Sequence, residues 1–189
     1  EFAKIQFENQ VKGTFYFRFL KNHYDAKIIE AIANMNHEIG YHYDDLSYCK
    51  GDYDKAFKRF QNNLNKLRNI ASVSTICMEG APLSKYDNRK LWEKYNFKDL
   101  GIIGEPYFNI DFQKVFYLTD TGRNWKANYS VRDKVLQNPL FSQIKISSTK
   151  DLISYANRNI LPDQIMLTFH PQRWNDRFGP WIKELILQN

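Results

Sequence analysis

Cysteine is scarce in this chain, and long apolar runs are absent. The two cysteines, Cys49 and Cys77, have no CxxC spacing, which argues against a disulfide scaffold or a zinc finger and favours a reducing compartment. Because no apolar run approaches the length of a membrane span and no signal peptide is visible, we expect a cytoplasmic protein. No Gly-x-Gly-x-x-Gly motif follows the first predicted strand, which disfavours a dinucleotide-binding sheet.

The charge excess is modest and dispersed. The 189 residues carry 27 Lys and Arg against 21 Asp and Glu, a net charge of +6. The densest basic segment, residues 55–68, has apolar residues at helical spacing, which predicts that Arg59 and its basic neighbours lie on a solvated helix face. Since nucleic-acid-binding motifs are also lacking, we expect no nucleic-acid partner. The length suits one domain, 1–189, and the 16% of aromatic residues suits its core or a sugar-stacking cleft.

Short β-prone runs alternate with helical segments along the chain. We predict strands at 13–17, 38–42, 73–78, 101–104, 115–119 and 164–169, with a further short strand at 143–147. We predict helices at 1–10, 25–35, from about residue 52, at 149–159 with Thr149 as N-cap, and at 174–188. This alternation is typical of βαβ units, whose right-handed crossovers either wind an open parallel sheet or close a barrel. We expect an α/β fold of the parallel (β/α) barrel type.

Polar side chains follow six of the predicted strands. In parallel α/β folds the carboxyl ends of the strands carry the active site. The residues at or just past these ends are Arg18, His42 with Asp44 and Asp45, Glu79, Glu105, Asp120 and His170. Strands that stop where polar residues begin explain part of this pattern, but not the placement of two of the four histidines. Since His and Asp can bind a divalent ion and a second imidazole can act as general acid, we favour a metal-dependent hydrolase.

The other two histidines carry less weight. His37 precedes its strand, so we expect it at the opposite, structural end of the sheet. His23 lies in the polar segment KNHYD and is predicted to be exposed. His42 and His170 are therefore the candidate functional histidines.

Several segments resemble the NodB-type polysaccharide deacetylases, the carbohydrate esterase family four group. NHEIGYHYDDL is similar to the family's GHEIG-x-H segment, TFHP to its late strand that closes on a histidine, and GTFYFRF to its second strand. CMEGAPLSKYDN and DTGRNW fall where the family has segments lining the substrate groove. These segments follow the family's order over nearly the whole chain. They are most similar to a divergent branch linked to bacterial surface-polysaccharide gene clusters.

The resemblance implies a distorted seven-stranded (β/α) barrel that removes an N- or O-acetyl group from a carbohydrate. In the family an Asp-His-His triad binds zinc or a similar divalent ion, a neighbouring Asp is the base and the late-strand histidine is the acid. His42 matches the first metal histidine, and His170 matches the general acid. Tyrosines and tryptophans could flank the sugar or pack the core, and an arginine could hold a carboxylate or orient a catalytic group. The candidate substrate-binding residues are Arg18, Tyr41, Asp120, Arg123, Trp125, Arg173 and Trp174.

Two departures from the family pattern matter. The second metal histidine should fall four residues after His42, where this chain has Leu46, so Asp44, Asp45 or Glu79 would have to supply that ligand. The chain also starts in the helix that should follow the family's first strand, so we expect that strand, with its base and its aspartate ligand, to be missing. The leading hypothesis is a metal-dependent carbohydrate deacetylase, with zinc as the expected ion. The alternative is a non-catalytic carbohydrate-binding or regulatory relative with a degenerate metal site.

Overall fold

The chain divides into two compact units, Glu1–Ile110 and Asp111–Asn189. The computed structural model describes residues 1–19, 24–81, 83–121, 124–125, 132, 134–174 and 177–187. Each unit has its own parallel sheet and its own apolar core. Within these described ranges, no helix is both long enough and apolar enough to cross a membrane.

A three-stranded parallel sheet is the frame of the first unit. Its strands, in spatial order, are β1 (Thr14–Phe17), β2 (Glu38–Tyr43) and β3 (Val73–Met78). Gly40 of β2 is paired with Tyr16 on one side and with Thr75 on the other. The Tyr16 ring occupies the space that a Cβ at residue 40 would need, so only glycine fits there without rearrangement.

Helices cover the apolar face of this sheet. The described residues of the unit form α1 (Phe2–Glu8), α2 (Ala26–Asn34), α3 (Asp45–Tyr48), α4 (Tyr53–Arg68) and α5 (Pro106–Asn109), with 3-10 turns at Asn88–Glu93 and Phe97–Leu100. The long helix predicted near residue 52 is confirmed as α4, because the Asp52 side chain accepts a hydrogen bond from Lys55 N as N-cap. Its stripe of Phe60, Leu64 and Leu67 is buried in the core with residues of β2 and β3.

The second unit is built on a two-stranded parallel sheet. β4 (Phe116–Thr119) pairs with β5 (Ile165–Thr168). Helices α6 (Thr149–Asn157) and α7 (Phe178–Leu187) and 3-10 turns at Pro139–Gln143 and Pro171–Arg173 complete the regular structure of its described part. The N-cap of α6 is Ser148, one residue before the predicted Thr149, because Ser148 and Asp151 form a reciprocal capping box.

The predicted seven-stranded barrel is wrong. The described residues form five short strands in two parallel sheets, one of three strands and one of two. Five of the seven runs predicted as strands form these five strands. The other two runs, 101–104 and 143–147, are not strands.

The two runs that are not strands have other uses for their backbone groups. Residues 101–104 make one isolated bridge, Gly104 to Thr75, because Gly101 is left-handed at φ 70° and Glu105 already caps α5. In the run 143–147, Gln143 ends a 3-10 turn, and Ser147 N donates to the Asp151 carboxylate at 3.0 Å. Their β-prone composition predicted both strands. The run 101–104 pairs with β3 only through Ile103 N to the Ser74 carbonyl oxygen and Ile76 N to the Gly104 carbonyl oxygen, and the run 143–147 is taken up by a turn and a cap.

Candidate functional site

His42, near the end of β2, and Glu79, just after β3, form a pair in the first unit. His42 Nε2 lies 3.0 Å from Glu79 Oε2, and His42 Nδ1 lies 3.0 Å from the Cys77 carbonyl oxygen. Because a carbonyl oxygen only accepts, Nδ1 carries a proton and the Nε2 position faces the carboxylate. The sheet register sets this geometry, since His42 is paired with Cys77 across the two strands.

Burial and mutual attraction shift the pKa values of His42 and Glu79 in opposite directions. Burial lowers the pKa of His42, but the hydrogen bond with Glu79 and the charge of Glu79 outweigh it, so the pKa is raised above its ordinary value. Burial likewise acts to raise the pKa of Glu79, whereas His42 and the nearby charge of Arg18 lower it to about 2. Both shifts favour the ion pair.

Asp44 is held from two sides by arginines. Arg18 Nε and Nη2 lie 2.8 and 2.6 Å from Asp44 Oδ2. Arg59 Nη1 donates to Asp44 Oδ1 at 2.6 Å. The Asp44 side chain is almost fully buried, and three charge-assisted contacts from two arginines compensate for its desolvation.

Asp45 lies in the core and shares the same arginine. Arg59 Nη1 donates to Asp45 Oδ1 at 2.6 Å, and the Tyr41 hydroxyl donates to Asp45 Oδ2 at 2.8 Å. Burial is the largest influence and raises the pKa of Asp45 to about 6, although Arg59 and Tyr41 act to lower it. Together the two aspartates commit all four of their carboxylate oxygens to arginine and tyrosine donors.

A metal site would need more donors than the first unit brings together. Catalytic zinc sites use three protein ligands, and only His42 and Glu79 are paired here. No group of three or more His, Cys, Asp or Glu side chains able to hold a metal ion occurs in the described part of the chain. Leu46, which stands where the resemblance places a second metal histidine, is buried in the core. The described residues therefore do not fit a complete metal site.

Asp120 and His170 form a second pair, in the second unit. They follow β4 and β5, whose last residues, Thr119 and Thr168, are paired in the sheet. Asp120 Oδ1 accepts from His170 Nδ1 at 2.6 Å, and Oδ2 accepts from His170 N and from Trp174 Nε1, both at 2.9 Å. With Nδ1 fixed in this way, Nε2 has no hydrogen-bond partner among the described residues.

Asp120 is ionised as well as oriented. Burial acts to raise its pKa, but the hydrogen bonds from His170 and Trp174 and the charge of His170 outweigh burial, so the pKa of Asp120 is lowered. A carboxylate that stays negative holds the imidazole in one tautomer and stabilises the imidazolium when Nε2 gains a proton.

A cavity of about 380 Å³ within the second unit has Asp120 in its wall. That volume lies in the range of small-molecule sites. Trp125 and Trp174 meet edge to face in this wall, with ring centroids 6.2 Å apart and an interplanar angle of 73°. The other lining residues are Asn124, Ser147, Ser148, Thr149, Arg173 and Trp181. The wall therefore combines flat apolar surface with a few polar groups.

Of the remaining residues considered in the sequence analysis, three make structural contacts and two lie outside the described residues. Tyr41 is completely buried and contacts Asp45, so it offers no surface to a sugar in this structure. Glu105 is also buried, accepts from Met78 N at 3.1 Å and Tyr107 N at 2.7 Å, and has its pKa raised by burial to about 7. His37 Nε2 donates to the Ala3 carbonyl oxygen at 2.8 Å, which confirms its predicted structural role. The predictions for Arg123 and His23 lie outside the described residues.

Arg59 was not among the candidate site residues of the sequence analysis. The prediction that it lies on a solvated face is wrong, because its side chain is only 17% exposed and bridges two buried carboxylates. Asn63, one helical turn later, is also buried and donates to the Tyr41 hydroxyl at 2.9 Å. The available signal was the Asp44–Asp45 sequence itself, since two adjacent carboxylates at a buried strand end require a cation.

Comparisons with family models, with curated proteins and with solved structures find no match for this chain. The resemblance to NodB-type deacetylases therefore has no support from them.

Proposed function

We propose that this chain is a hydrolase that removes acetyl groups from a carbohydrate. The Asp120–His170 pair beside the tryptophan-lined cavity carries the proposal. An imidazole oriented by a buried carboxylate is suited to general acid–base catalysis. Trp174, which is 45% exposed and packs edge to face with the buried Trp125, offers the flat apolar surface against which a sugar ring can pack. The resemblance to NodB-type deacetylases gives His170 the same role.

In the proposed reaction, water adds to the acetyl carbonyl carbon and the bond from that carbon to the sugar nitrogen or oxygen breaks. His170 Nε2 donates its proton to the leaving amine or alkoxide. Asp120 accepts from Nδ1 throughout, which stabilises the imidazolium before the transfer and keeps Nε2 available. His170 Nε2, neutral before the attack, takes the proton that the water loses and is thereby the source of the proton delivered to the leaving group.

Zinc or a similar divalent ion is a further part of this proposal, through the resemblance alone. His42 Nε2 and Glu79 Oε2, 3.0 Å apart, would be two of its ligands. A catalytic zinc site uses three protein ligands, so the described residues do not complete one.

The contacts of Asp44 and Asp45 favour a second candidate function. Arg59 binds both carboxylates and Arg18 binds Asp44, and these aspartates were two of the three expected substitutes for the ligand that Leu46 cannot supply. A chain in which arginines replace a metal at this position fits a non-catalytic carbohydrate-binding or regulatory protein. Such a protein keeps the tryptophan-lined cavity and needs no base.

Acetate release and sugar binding together separate the two candidates. We would measure acetate from acetylated amino sugars, with and without added zinc, and binding of the same sugars by tryptophan fluorescence. For a hydrolase, His170→Ala should reduce acetate release by about 10²- to 10⁴-fold with little change in affinity. Arg158→Gln, an exposed change in the same unit, is the matched control and should alter neither. Binding without acetate release at any ion concentration would overturn the hydrolase in favour of the binding protein.

A further inference from the structure

Arg173 lines the cavity with one edge of its guanidinium unpaired. Its side chain is 17% exposed, and its Nη1 lies 3.4 Å from the Asp120 carbonyl oxygen and 3.7 Å from Asp120 Oδ1. Nε is closed off from solvent and has no acceptor, and Nη2 also lacks one among the described residues. Buried donors without a partner are costly and rare, so this edge calls for an explanation.

Several other polar groups of the cavity wall are already engaged. Trp125 Nε1 donates to Thr149 Oγ1 at 3.1 Å, and Trp174 Nε1 donates to Asp120. Ser148 Oγ accepts from Asp151 N at 3.1 Å in the capping box. Both indole N–H groups are thus committed, so a ligand meets ring surface here, mainly that of Trp174, which is 45% exposed. Of the Arg173 donors, Nη2 keeps its capacity to donate to a ligand, whereas Nε is closed off from solvent.

The chemistry of that edge selects its partner. Nε is closed off from solvent, so Nη2 is the donor that a ligand can reach, and this charged donor binds a carboxylate more strongly than a neutral acceptor. The second unit has eleven Lys and Arg against seven Asp and Glu, so its field favours an anionic ligand. Tryptophan faces beside a carboxylate-binding edge describe a site for a sugar ring that carries an acid.

We propose that this cavity binds an acidic sugar, a uronic acid residue, whose carboxylate accepts from Arg173 Nη2. Nη1 stays directed to Asp120, so the arginine links the bound acid to the residue that orients His170. Arg173 is then a specificity-determining residue. This inference rests on the proposed function only in taking the ligand to be a carbohydrate.

A matched pair of ligands tests the proposal. We would titrate the chain with a uronic-acid oligosaccharide and with its carboxyl-reduced neutral counterpart, following tryptophan fluorescence. The acidic oligosaccharide should bind at least about tenfold more tightly, and the difference should shrink as salt is added. Arg173→Gln should abolish the preference. Arg173→Lys should keep part of the preference, because a lysine retains the charge but lacks the planar guanidinium.

Controls keep the outcome unambiguous. Arg158→Gln removes one exposed charge from the same unit and should keep the full preference. The chemical shifts of the His170 ring, compared between Arg173→Lys and the parent chain, show whether the Asp120 contact is intact. Equal affinity of the parent chain for the two oligosaccharides overturns the proposal, and so does a preference that survives Arg173→Gln.

The two proposals fail separately. Arg173-dependent binding of the acidic oligosaccharide without acetate release would end the hydrolase proposal and leave this inference standing. Acetate release from neutral sugars, with no preference for the acidic oligosaccharide, would end this inference and leave the hydrolase proposal standing.

Discussion

His42 Nε2 lies 3.0 Å from Glu79 Oε2, and neither side chain is more than a quarter exposed. The pKa of His42 is raised although burial acts to lower it, and the Glu79 carboxylate is the main cause. Glu79→Gln should therefore lower the pKa of His42 below the ordinary value of about 6.5, since burial then acts with little opposition. NMR titration of the His42 ring measures this directly. Glu8→Gln, an exposed change on α1, is the control, and an equal shift in both variants would contradict the assignment.

The same pair should contribute to stability within a limited pH window. His42 has a raised folded pKa, so its contribution is complete below about pH 6.5, the unfolded value, and is lost as the pH rises through the folded value. Glu79 has a folded pKa of about 2, so its contribution is complete above its unfolded value and is lost as the pH falls through the folded one. The difference in unfolding free energy between the parent chain and Glu79→Gln should be largest between about pH 4.5 and 6.5. Urea unfolding at about pH 3, 5.5 and 8.5 tests this. A difference larger at high pH than at the middle value would rule it out.

Arg59 is expected to matter for stability out of proportion to its place on a helix surface. Arg59→Met leaves Asp44 with one arginine and Asp45, fully buried, with none. Removing one partner of a buried charge pair costs about 3–5 kcal/mol of unfolding free energy. The adjacent and exposed Lys58→Met should change it by less than about 0.5 kcal/mol. Urea unfolding of both variants gives the comparison, and equal small effects would show that the carboxylates are solvated instead.

Asp120→Asn should separate the orientation of His170 from the binding of substrate. Asparagine can still accept from His170 Nδ1, but its amide nitrogen cannot accept from Trp174 Nε1 or His170 N, and its charge is gone. Under the proposed mechanism, kcat for acetate release should fall by about 10²- to 10⁴-fold, while KM changes little. Steady-state kinetics, with Arg158→Gln as the control, measures the changes in kcat and KM separately. A change confined to KM would make Asp120 a binding residue only.

Much of this arrangement follows from local pattern, and the remainder depends on contacts between distant segments. Parallel strands and polar residues at their ends are local features, so His42, Glu79, Asp120 and His170 could be found from the sequence. Sequence order alone did not reveal that Arg59 contacts Asp44 and Asp45, because that contact depends on how α4 packs against β2. The barrel prediction was wrong because local sequence indicated more strands than the fold forms. A four-residue run such as 101–104 looks like a strand locally, yet its caps allow one bridge.

Gly40 offers the sharpest test of how the first sheet is packed. A Cβ at this position would overlap the ring of Tyr16 and lie 3.2 Å from the Thr75 carbonyl oxygen. Gly40→Ala should therefore lower the unfolding free energy by about 1–3 kcal/mol, the usual cost of overpacking. In a Tyr16→Ala background the ring is absent, so the same change should cost much less, and the double-mutant cycle should give a coupling of at least about 1 kcal/mol. Gly179→Ala is the matched control, because a Cβ there meets nothing within 4 Å, and in helix α7 it should stabilise by about 0.5–1 kcal/mol. Additive effects of Gly40→Ala and Tyr16→Ala would mean that the tyrosine ring does not lie across β2.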